Sequence, residues 1–334
     1  MRVHVVSPAF HGYWRAIATA LEHQGHVVTT HTYDSHDTLP RRAWHKLRHE
    51  LPRKVGMGDH HALIETHTSA AIESLGASCP EAVVIVKGDT LAEPFWDALS
   101  ALPRVTWLYD EIRRTRWTTD SLARVGPVAT YSSDDNMTFS SIGMNSRHLP
   151  LAFDQRLSRE PRQKRSRDVS FVGARYPSRE VVLMHLHNAG IPIRAYGRDW
   201  SDHPVDRLRT WRVSGTRIPA ARDMSRADAY DVMAASVATL NLHGDQDGFT
   251  MRTFEACGVG GLQLIDRTDV EGLYQPGVEL LTWTGLDELV ELCERAARDP
   301  RWSDAIRSAG RARTLAEHTF DQRAIALEAA WDTV

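Results

Sequence analysis

Residues 239–266 read TLNLHGDQDGFTMRTFEACGVGGLQLID, and this stretch decides the fold. An apolar, strand-like run ends near His243, a loop that contains Gly244 and Gly248 follows, and a helical pattern begins near Thr250. A second strand-like run, GLQLID, comes after the helix. A strand, a loop, a helix and a strand in this order predict part of a parallel sheet. Ligands bind beyond the carboxyl ends of such strands, so the loop is the candidate site.

The same alternation of strands and helices runs through the whole chain in two series. The first series opens on RVHVVSP, continues through EAVVIVKGD and RVTWLYDE, and ends with HLPLAFD at 148–154. The stretch SREPRQKRSRD at 158–168 is densely charged and offers no apolar residue to bury, so it reads as a linker. The alternation then restarts at VSFVGARYPSRE. Two tandem Rossmann-like, doubly wound α/β domains are the economical interpretation.

The length of 334 residues also fits two domains, each with its own core. We expect an N-terminal domain over residues 1–155, a linker over 156–168 and a C-terminal domain over 169–318. The last stretch, 319–334, has a good helical pattern with nothing after it to pair with. In tandem architectures of this kind such a helix often packs across the domain junction.

Composition narrows the class of protein. The net charge of −3 and a pI near 6.6 give the chain no general attraction for nucleic acid, so we expect no nucleic-acid partner. The start has no signal-peptide pattern, and no apolar run approaches the roughly 20 residues that cross a bilayer. Three widely spaced cysteines predict neither a disulfide framework nor a CxxC metal site. A soluble cytoplasmic protein is the expectation.

The loop before the helix has the chemistry of a phosphate site. Free amides and the dipole at a helix N-terminus favour an anion, and Phe249, Thr250 and Met251 supply those amides. Gly248 lets the backbone approach a diphosphate closely. On the helix, Arg252 adds a planar, charge-assisted contact to the same phosphates. About one turn later, a carboxylate at Glu255 is able to accept hydrogen bonds from ribose hydroxyls.

The segment DGFTMRTFEACGVGGLQL resembles the donor-binding signature of GT-B glycosyltransferases. In that signature an acidic residue, seven residues and a glutamate frame a Gly-Phe loop, and here the two acids are Asp247 and Glu255. The family usually has glutamate first, so Asp247 is a departure that shortens the reach of the carboxylate. With VSFVGARYPSR and AYGRDW, the segment is most similar to the spore-maturation CgeB-like branch. The similarity spans residues 168–283, and the N-terminal half matches only in architecture.

The resemblance implies a nucleoside diphosphate sugar, linked to UDP, GDP or dTDP, in the cleft between the domains. It implies that Gly173 and Arg175 face the diphosphate and that Tyr196 and Gly197 lie near the base. The predicted donor site then consists of Gly173, Arg175, Tyr196, Gly197, His243, Asp247, Gly248, Phe249, Thr250, Met251, Arg252 and Glu255. Helix amides and cationic side chains such as Arg252 stabilise the leaving diphosphate in this fold, so we expect no metal and no cofactor.

The acceptor side is less defined. The resemblance implies an acceptor hydroxyl or amine on a small molecule, glycan or protein. The carboxyl ends of the first-series strands offer His11, Asp110 and Glu111 as the general base that an inverting reaction requires. A retaining reaction needs no dedicated base. The sequence leaves the stereochemical outcome, the sugar, the acceptor and the oligomeric state open.

Several alternatives remain beside this interpretation. A nucleotide-sugar epimerase or hydrolase has the same scaffold, and an inactive GT-B-like binding protein fits the departure at Asp247. A nicotinamide dehydrogenase is disfavoured, because neither half has GxGxxG after its first strand. An acid-Gly-aromatic turn is also common as a simple helix cap, and Tyr196 and Trp200 are equally good packing residues. His61 and Glu65 lie four apart without the HExxH pattern, which predicts no zinc site.

The segment PRRAWHKLRHELPRK, residues 40–54, contains six Lys or Arg residues and one Glu. Trp44, Leu47 and Leu51 fall at helical spacing, so an amphipathic basic helix is one prediction. Its charged face is either simply solvated or in contact with an anionic acceptor or a membrane surface. A peripheral position at the inner membrane face is therefore the alternative to a free cytoplasmic protein.

Overall fold

The computed structural model describes residues 1–34, 60–159, 165–211 and 215–331. The basic segment 40–54 therefore lies outside the described residues. Each half of the chain is built on a sheet of six parallel strands with helices between them. The prediction of two tandem Rossmann-like, doubly wound α/β sheets is confirmed.

The chain divides into two compact units, and the first of them contains both chain ends. The first unit covers Met1–Pro150 and Phe320–Val334, and the second covers Leu151–Thr319. The predicted first domain extended to residue 155, but Phe153 and Asp154 make their contacts in the second unit. The Phe153 amide donates to the His318 carbonyl at 2.8 Å, and the Asp154 carboxylate pairs with Arg226.

The first unit is a sheet with strand order β2-β1-β3-β4-β5-β6. Its strands are β1 (Arg2–Ser7), β2 (Val27–Thr32), β3 (Ala82–Val86), β4 (Arg104–Leu108), β5 (Val128–Thr130) and β6 (Ser146–His148). Its first helices are α1 (Tyr13–His23), α2 (His60–Ser78), α3 (Glu93–Ala98), α4 (Thr119–Ala123) and α5 (Ser133–Ser141). Every residue of β3, AVVIV, is buried, as a central parallel strand covered on both faces requires.

The second unit has strand order β12-β11-β10-β7-β8-β9, with all pairs parallel. Its strands are β7 (Val169–Val172), β8 (Ile193–Tyr196), β9 (Ala220–Ala221), β10 (Ala238–Asn241), β11 (Gln263–Ile265) and β12 (Leu281–Thr282). Its helices are α6 (Pro177–Asn188), α7 (Pro204–Thr210), α8 (Arg226–Ala235), α9 (Met251–Gly258), α10 (Leu286–Arg298) and α11 (Pro300–Glu317). Strand β10 lies inside the sheet, between β7 and β11, so the loop after it is flanked by strand ends on both sides.

The last helix, α12 (Phe320–Trp331), packs onto the first unit. Phe320 stacks on Tyr13 of α1 with ring centroids 6.3 Å apart, and Trp331 meets the His26 ring edge to face at 5.8 Å. Arg323 donates from Nε to the Pro150 carbonyl at 2.7 Å. These contacts bury the apolar face of α12, whose packing partner the sequence pattern alone did not indicate.

His4 gives the first unit a predictable pH dependence. Its ring is buried in β1, with Nδ1 2.7 Å from Thr29 Oγ1 and Nε2 3.3 Å from Ser74 Oγ. Burial, and to a lesser extent the charge of His31, lowers the pKa of His4 from 6.5 to about 4. As the pH falls below about 6.5, His4 binds a proton in the unfolded chain but stays neutral in the folded chain until the pH nears 4. The contribution of His4 to stability is therefore complete above pH 6.5 and is lost towards pH 4.

Between pH 7 and pH 4.5 the unfolding free energy of the wild type falls, in part because of His4. We expect this fall to be smaller in His4→Gln by about 2 kcal/mol, because pH 4.5 lies two units below the unfolded pKa. Chemical denaturation at both pH values measures the difference. His23→Gln, on the exposed end of α1, is the matched control and leaves the pH dependence as it is. Equal pH dependence in the His4 variant and the wild type would contradict the prediction.

Candidate functional site

The predicted site is the loop of residues 242–250, here called the β10–α9 loop. It leaves the sheet at the carboxyl end of β10 and turns through Gly244, whose φ of +69° lies in the left-handed region. It ends at Thr250, the N-cap of α9, and the Thr250 side chain makes no capping hydrogen bond. The side chains of Phe249 and Met251 are buried on either side of the cap and fix the helix start. The amides of the first helical turn are therefore not capped by Thr250, as an anion site requires.

Arg252 and Glu255 form an ion pair one turn into α9. Arg252 Nη1 lies 2.7 Å from Glu255 Oε2, and the hydroxyl of Tyr230 on α8 donates to Oε1 at 3.3 Å. The Glu255 side chain has no exposed surface, whereas 23% of the Arg252 side chain is exposed. Arg252 is thus the member of the pair that faces solvent. The ribose contact of Glu255 and the phosphate contact of Arg252 stay predictions.

A second buried ion pair lies close to Glu255. Arg226 of α8 pairs with Asp154, and both side chains are almost wholly buried. Burial raises the pKa of Asp154, and the negative charge of Glu255 adds to that rise, while Arg226 opposes it. Sequence analysis missed Asp154 and Arg226 as neighbours of the site. No local pattern signals them, because they are 72 residues apart.

His243 is buried at the start of the β10–α9 loop and is held on two sides. Its Nδ1 lies 2.9 Å from Asp266 Oδ1, and its Nε2 lies 3.4 Å from Thr253 Oγ1. Burial lowers the pKa of His243, and the bond to Asp266 opposes this only in part. For Asp266, burial acts to raise the pKa, but bonds from His243 and from the Gly244 amide lower it overall. The predicted donor contact of His243 stays a prediction, and the observed contacts of its ring are with Asp266 and Thr253.

Arg267 is a further site residue that sequence analysis missed. It is the second residue after β11, donates from Nη1 to the Asp247 carbonyl, and lies over the Phe249 ring with 5.0 Å between Cζ and the ring centroid. The signal that points to it is the acid and arginine at the end of GLQLIDR, a strand next to β10 in the sheet. Only the strand order brings it to the loop.

Two arginines near the end of β7 have different partners: Arg175 lies in the loop after the strand, and Arg179 lies in the first turn of α6. Arg175 makes a bidentate pair with Glu180, with Nη2–Oε1 and Nε–Oε2 distances of 2.6 and 3.0 Å, and is buried. Arg179 donates to the Leu242 carbonyl from Nη2 at 2.7 Å and from Nε at 3.1 Å, which holds the start of the β10–α9 loop. Because Glu180 already engages its guanidinium, the phosphate contact of Arg175 stays a prediction.

Gly173 and Gly197 bring the ends of β7 and β8 together. Gly197 has φ of +152°, and a Cβ on it would lie 2.6 Å from the Gly173 carbonyl oxygen. The buried Trp200 donates from Nε1 to the same oxygen at 2.9 Å, so it is a packing residue. Tyr196 ends β8, and burial raises its pKa. The predicted donor residues thus all lie at the carboxyl edge of the second sheet, after β7, β8 and β10.

The three predicted bases lie at the carboxyl edge of the first sheet. His11 is exposed after β1 with φ of +45°, an uncommon conformation for a residue other than glycine. Asp110 follows β4, is about one-third exposed, and accepts a 2.6 Å bond from Lys87 Nζ. Glu111 has no exposed surface and accepts a hydrogen bond from the Tyr131 hydroxyl. Of the two carboxylates, Asp110 is the one that a substrate reaches without rearrangement.

The described part of the chain offers neither a metal cluster nor a helix that could span a membrane. Within 1–34, 60–159, 165–211 and 215–331, no group of three or more His, Cys, Asp or Glu residues is arranged to hold a metal ion. Among the helices of that part of the chain, none combines the length and the apolar character that a bilayer span needs.

Comparisons with known proteins agree with this geometry. Residues 167–329 match a family model described as glycosyl transferase-like. No curated protein sequence matches the chain.

Similar solved structures extend over both units. Sucrose-phosphate synthase from Thermosynechococcus elongatus has a TM-score of 0.66 at 12% identity, over 100% of this chain and 98% of that one. Anabaena Alr3699/HepE in complex with UDP-glucose has a TM-score of 0.64 at 12% identity, over 100% of both chains. A glycosyltransferase from Rickettsia africae has a TM-score of 0.64 at 10% identity, over 99% and 98%. The chain therefore has the GT-B fold of glycosyltransferases, and its residues 167–329 match a glycosyl transferase-like family.

Proposed function

We infer that this chain is a glycosyltransferase that moves a sugar from a nucleoside diphosphate sugar to an acceptor hydroxyl or amine. The observation that carries the inference is the β10–α9 loop, which brings a glycine turn, an N-cap without a side-chain bond and Arg252 to one strand end. This loop lies inside the residues that match the glycosyl transferase-like family. The complexes of HepE with UDP-glucose and UDP, on the same fold, favour a UDP-linked donor.

The chemistry that these residues supply is stabilisation of the leaving diphosphate. As the bond between the sugar and the diphosphate breaks, negative charge accumulates on the phosphate oxygens. First-turn amides of α9 and the helix dipole stabilise that charge, and Arg252 adds a partly exposed cation. Because this positive field comes from the chain itself, we propose that transfer does not require a metal. Transfer that persists in excess EDTA is the expected result.

On the acceptor side, we propose Asp110 as the base if the reaction inverts the anomeric carbon. Its partial exposure, next to Lys87, supports this choice over the buried Glu111. His11 stays a second candidate, because it is exposed at the same sheet edge. Similarity over residues 168–283 also supports placing the chain in the CgeB-like branch. We propose a cytoplasmic location, since the free cysteines Cys79, Cys257 and Cys293 suit a reducing compartment, and membrane contact through 40–54 stays a prediction.

Nucleotide binding provides the direct test. In calorimetric titrations with UDP, GDP and dTDP, we expect one nucleotide, most readily UDP, to bind. Arg252→Lys keeps a cation beside Glu255 but loses the planar fork, so the affinity for that nucleotide should fall about tenfold. Arg298→Lys, in an exposed pair with Glu294 on α10, is the matched control and leaves the affinity unchanged. Absence of binding by all three nucleotides would refute the proposal.

A second measurement separates transfer from the other reactions of the same scaffold. Incubation of the matching nucleotide sugar without acceptor should release nucleotide only slowly and should not change the sugar. Rapid release of free sugar would indicate a hydrolase, and a new sugar still attached to the nucleotide would indicate an epimerase. A chain that binds the nucleotide but never releases it from any sugar, with any acceptor, would be an inactive binding protein.

A further inference from the structure

The β10–α9 loop is held at its first end by Asp266, the residue after β11. Asp266 Oδ2 accepts the amide of His243 at 2.8 Å and the amide of Gly244 at 3.3 Å, while Oδ1 takes the His243 ring. Gly244 has a left-handed backbone, and no atom lies within 4 Å of the position that a Cβ would occupy, so no neighbouring group packs against the loop there. One carboxylate therefore fixes the direction in which the loop leaves the sheet.

The next residue, Arg267, holds the other end of the same loop. Its guanidinium donates to the backbone carbonyl of Asp247 and stacks over the ring of Phe249. A cation over an aromatic face and a charge-assisted hydrogen bond are both favourable at a partly buried site. The two contacts fall on either side of Gly248, immediately before the first turn of α9. Arg267 thus acts on the part of the loop that sets the position of the helix amides.

We propose that Arg267 is a positioning residue for the nucleotide-sugar donor, an inference that rests on the proposed function. Its two contacts hold residues 247–249 in the conformation that presents the first-turn amides of α9 to a diphosphate, before the donor arrives. Preorganisation of this kind lowers the cost of ordering a binding loop and so raises affinity without a contact to the ligand. Asp266 supplies the complementary restraint at His243 and Gly244. Sequence order makes the two restraints neighbours on one strand end.

The test compares Arg267→Met, which keeps the length of the side chain but removes its charge, with Arg267→Lys and with a matched control. The control is Arg295→Met, because Arg295 also stacks on an aromatic ring, Trp302, in the same unit but on α10. For each full-length variant, hydrogen exchange of the amides of residues 244–250 is measured without nucleotide. The affinity for UDP is measured by calorimetry, and the melting temperature is measured alongside.

We expect the loop amides to exchange about tenfold faster in Arg267→Met, and the affinity for UDP to fall about tenfold, as the loss of a charge-assisted bond predicts. The melting temperature should change no more than in Arg295→Met, which keeps both the slow exchange and the affinity of the wild type. Arg267→Lys should recover part of both, since lysine still donates to the Asp247 carbonyl.

Unchanged exchange in Arg267→Met would overturn the proposal, even if the affinity for UDP falls, because Arg267 would then act as a direct ligand. Faster exchange with an undiminished affinity for UDP would also overturn it, since the loop would not need the restraint. If the wild type binds no nucleotide at all, the proposed function fails. The exchange comparison without nucleotide then still decides whether Arg267 restrains the loop.

Discussion

Arg252→Ala is expected to destabilise the second unit by about 3–5 kcal/mol, because it strips the cation from a buried carboxylate. The Glu255 side chain has no exposed surface, so a charge left there cannot be solvated in place. Removal of the other partner, in Glu255→Ala, should lower the free energy of unfolding clearly less. The Arg252 side chain is already partly exposed and is able to turn its guanidinium to water. The two alanine variants of one ion pair should therefore differ in stability.

Urea denaturation, monitored by fluorescence, measures the free energy of unfolding of the two single variants and of the double variant. The double variant should be less destabilised than the sum of the singles, since it leaves no unpaired charge. The exposed pair of Arg298 and Glu294 on α10 is the control, and its alanine variants should cost under about 1 kcal/mol. Equal losses for Arg252→Ala and Glu255→Ala would contradict the interpretation that burial of the carboxylate sets the energy.

The sequence allowed the fold and the strand-loop-helix segment of the candidate site to be predicted, because both depend on local patterns. The strand-loop-helix-strand order of 239–266 is a local property, and the structure has β10, α9 and β11 in those places. Repetition of the same pattern in both halves predicts two sheets. A helix N-terminus after a glycine loop also follows from neighbouring residues alone.

The parts that could not be predicted depend on which strands become neighbours. Arg267 reaches the β10–α9 loop only because β11 pairs with β10, and Arg226 meets Asp154 only through the packing of α8. The engagement of Arg175 by Glu180 was similarly invisible, because an arginine at a helix start suits a phosphate as well as a nearby glutamate. The sequence shows which charged residues are present near the site. The tertiary fold determines which of them are already paired with one another.

Burial of Glu255 illustrates the same limit within one short segment. The spacing of Asp247 and Glu255 resembles the donor signature, and an acid one turn into a helix is commonly exposed. In the structure, the carboxylate lies beneath Arg252 and beside Tyr230 of α8. The nine residues from Asp247 to Glu255 give no indication that α8 covers the face of α9 on which Glu255 lies. Which of the two side chains, Arg252 or Glu255, reaches the surface is consequently a property of the helix packing.

Gly310→Ala is expected to destabilise the second unit by about 3 kcal/mol, at the upper end of what overpacking costs. Gly310 lies in the interior of α11, and a Cβ placed on it would lie 2.2 Å from the backbone carbonyl oxygen of Glu279. A backbone oxygen cannot turn away as a flexible side chain does, so either α11 or the segment at Glu279 has to move. The thiol of Cys257, at the end of α9, lies 3.5 Å from the same position.

Gly76→Ala is the matched control, since Gly76 also lies within a helix, α2, but has open space where the Cβ would be. There the substitution should stabilise the first unit by about 0.5–1 kcal/mol, through the ordinary preference of a helix for alanine. Scanning calorimetry of the two variants should thus give shifts of opposite sign. A melting temperature for Gly310→Ala equal to that of the wild type would show that α11 moves away from Glu279 at no cost. Because α11 packs against α9, such freedom would also mean that α9 is not held rigidly at that face.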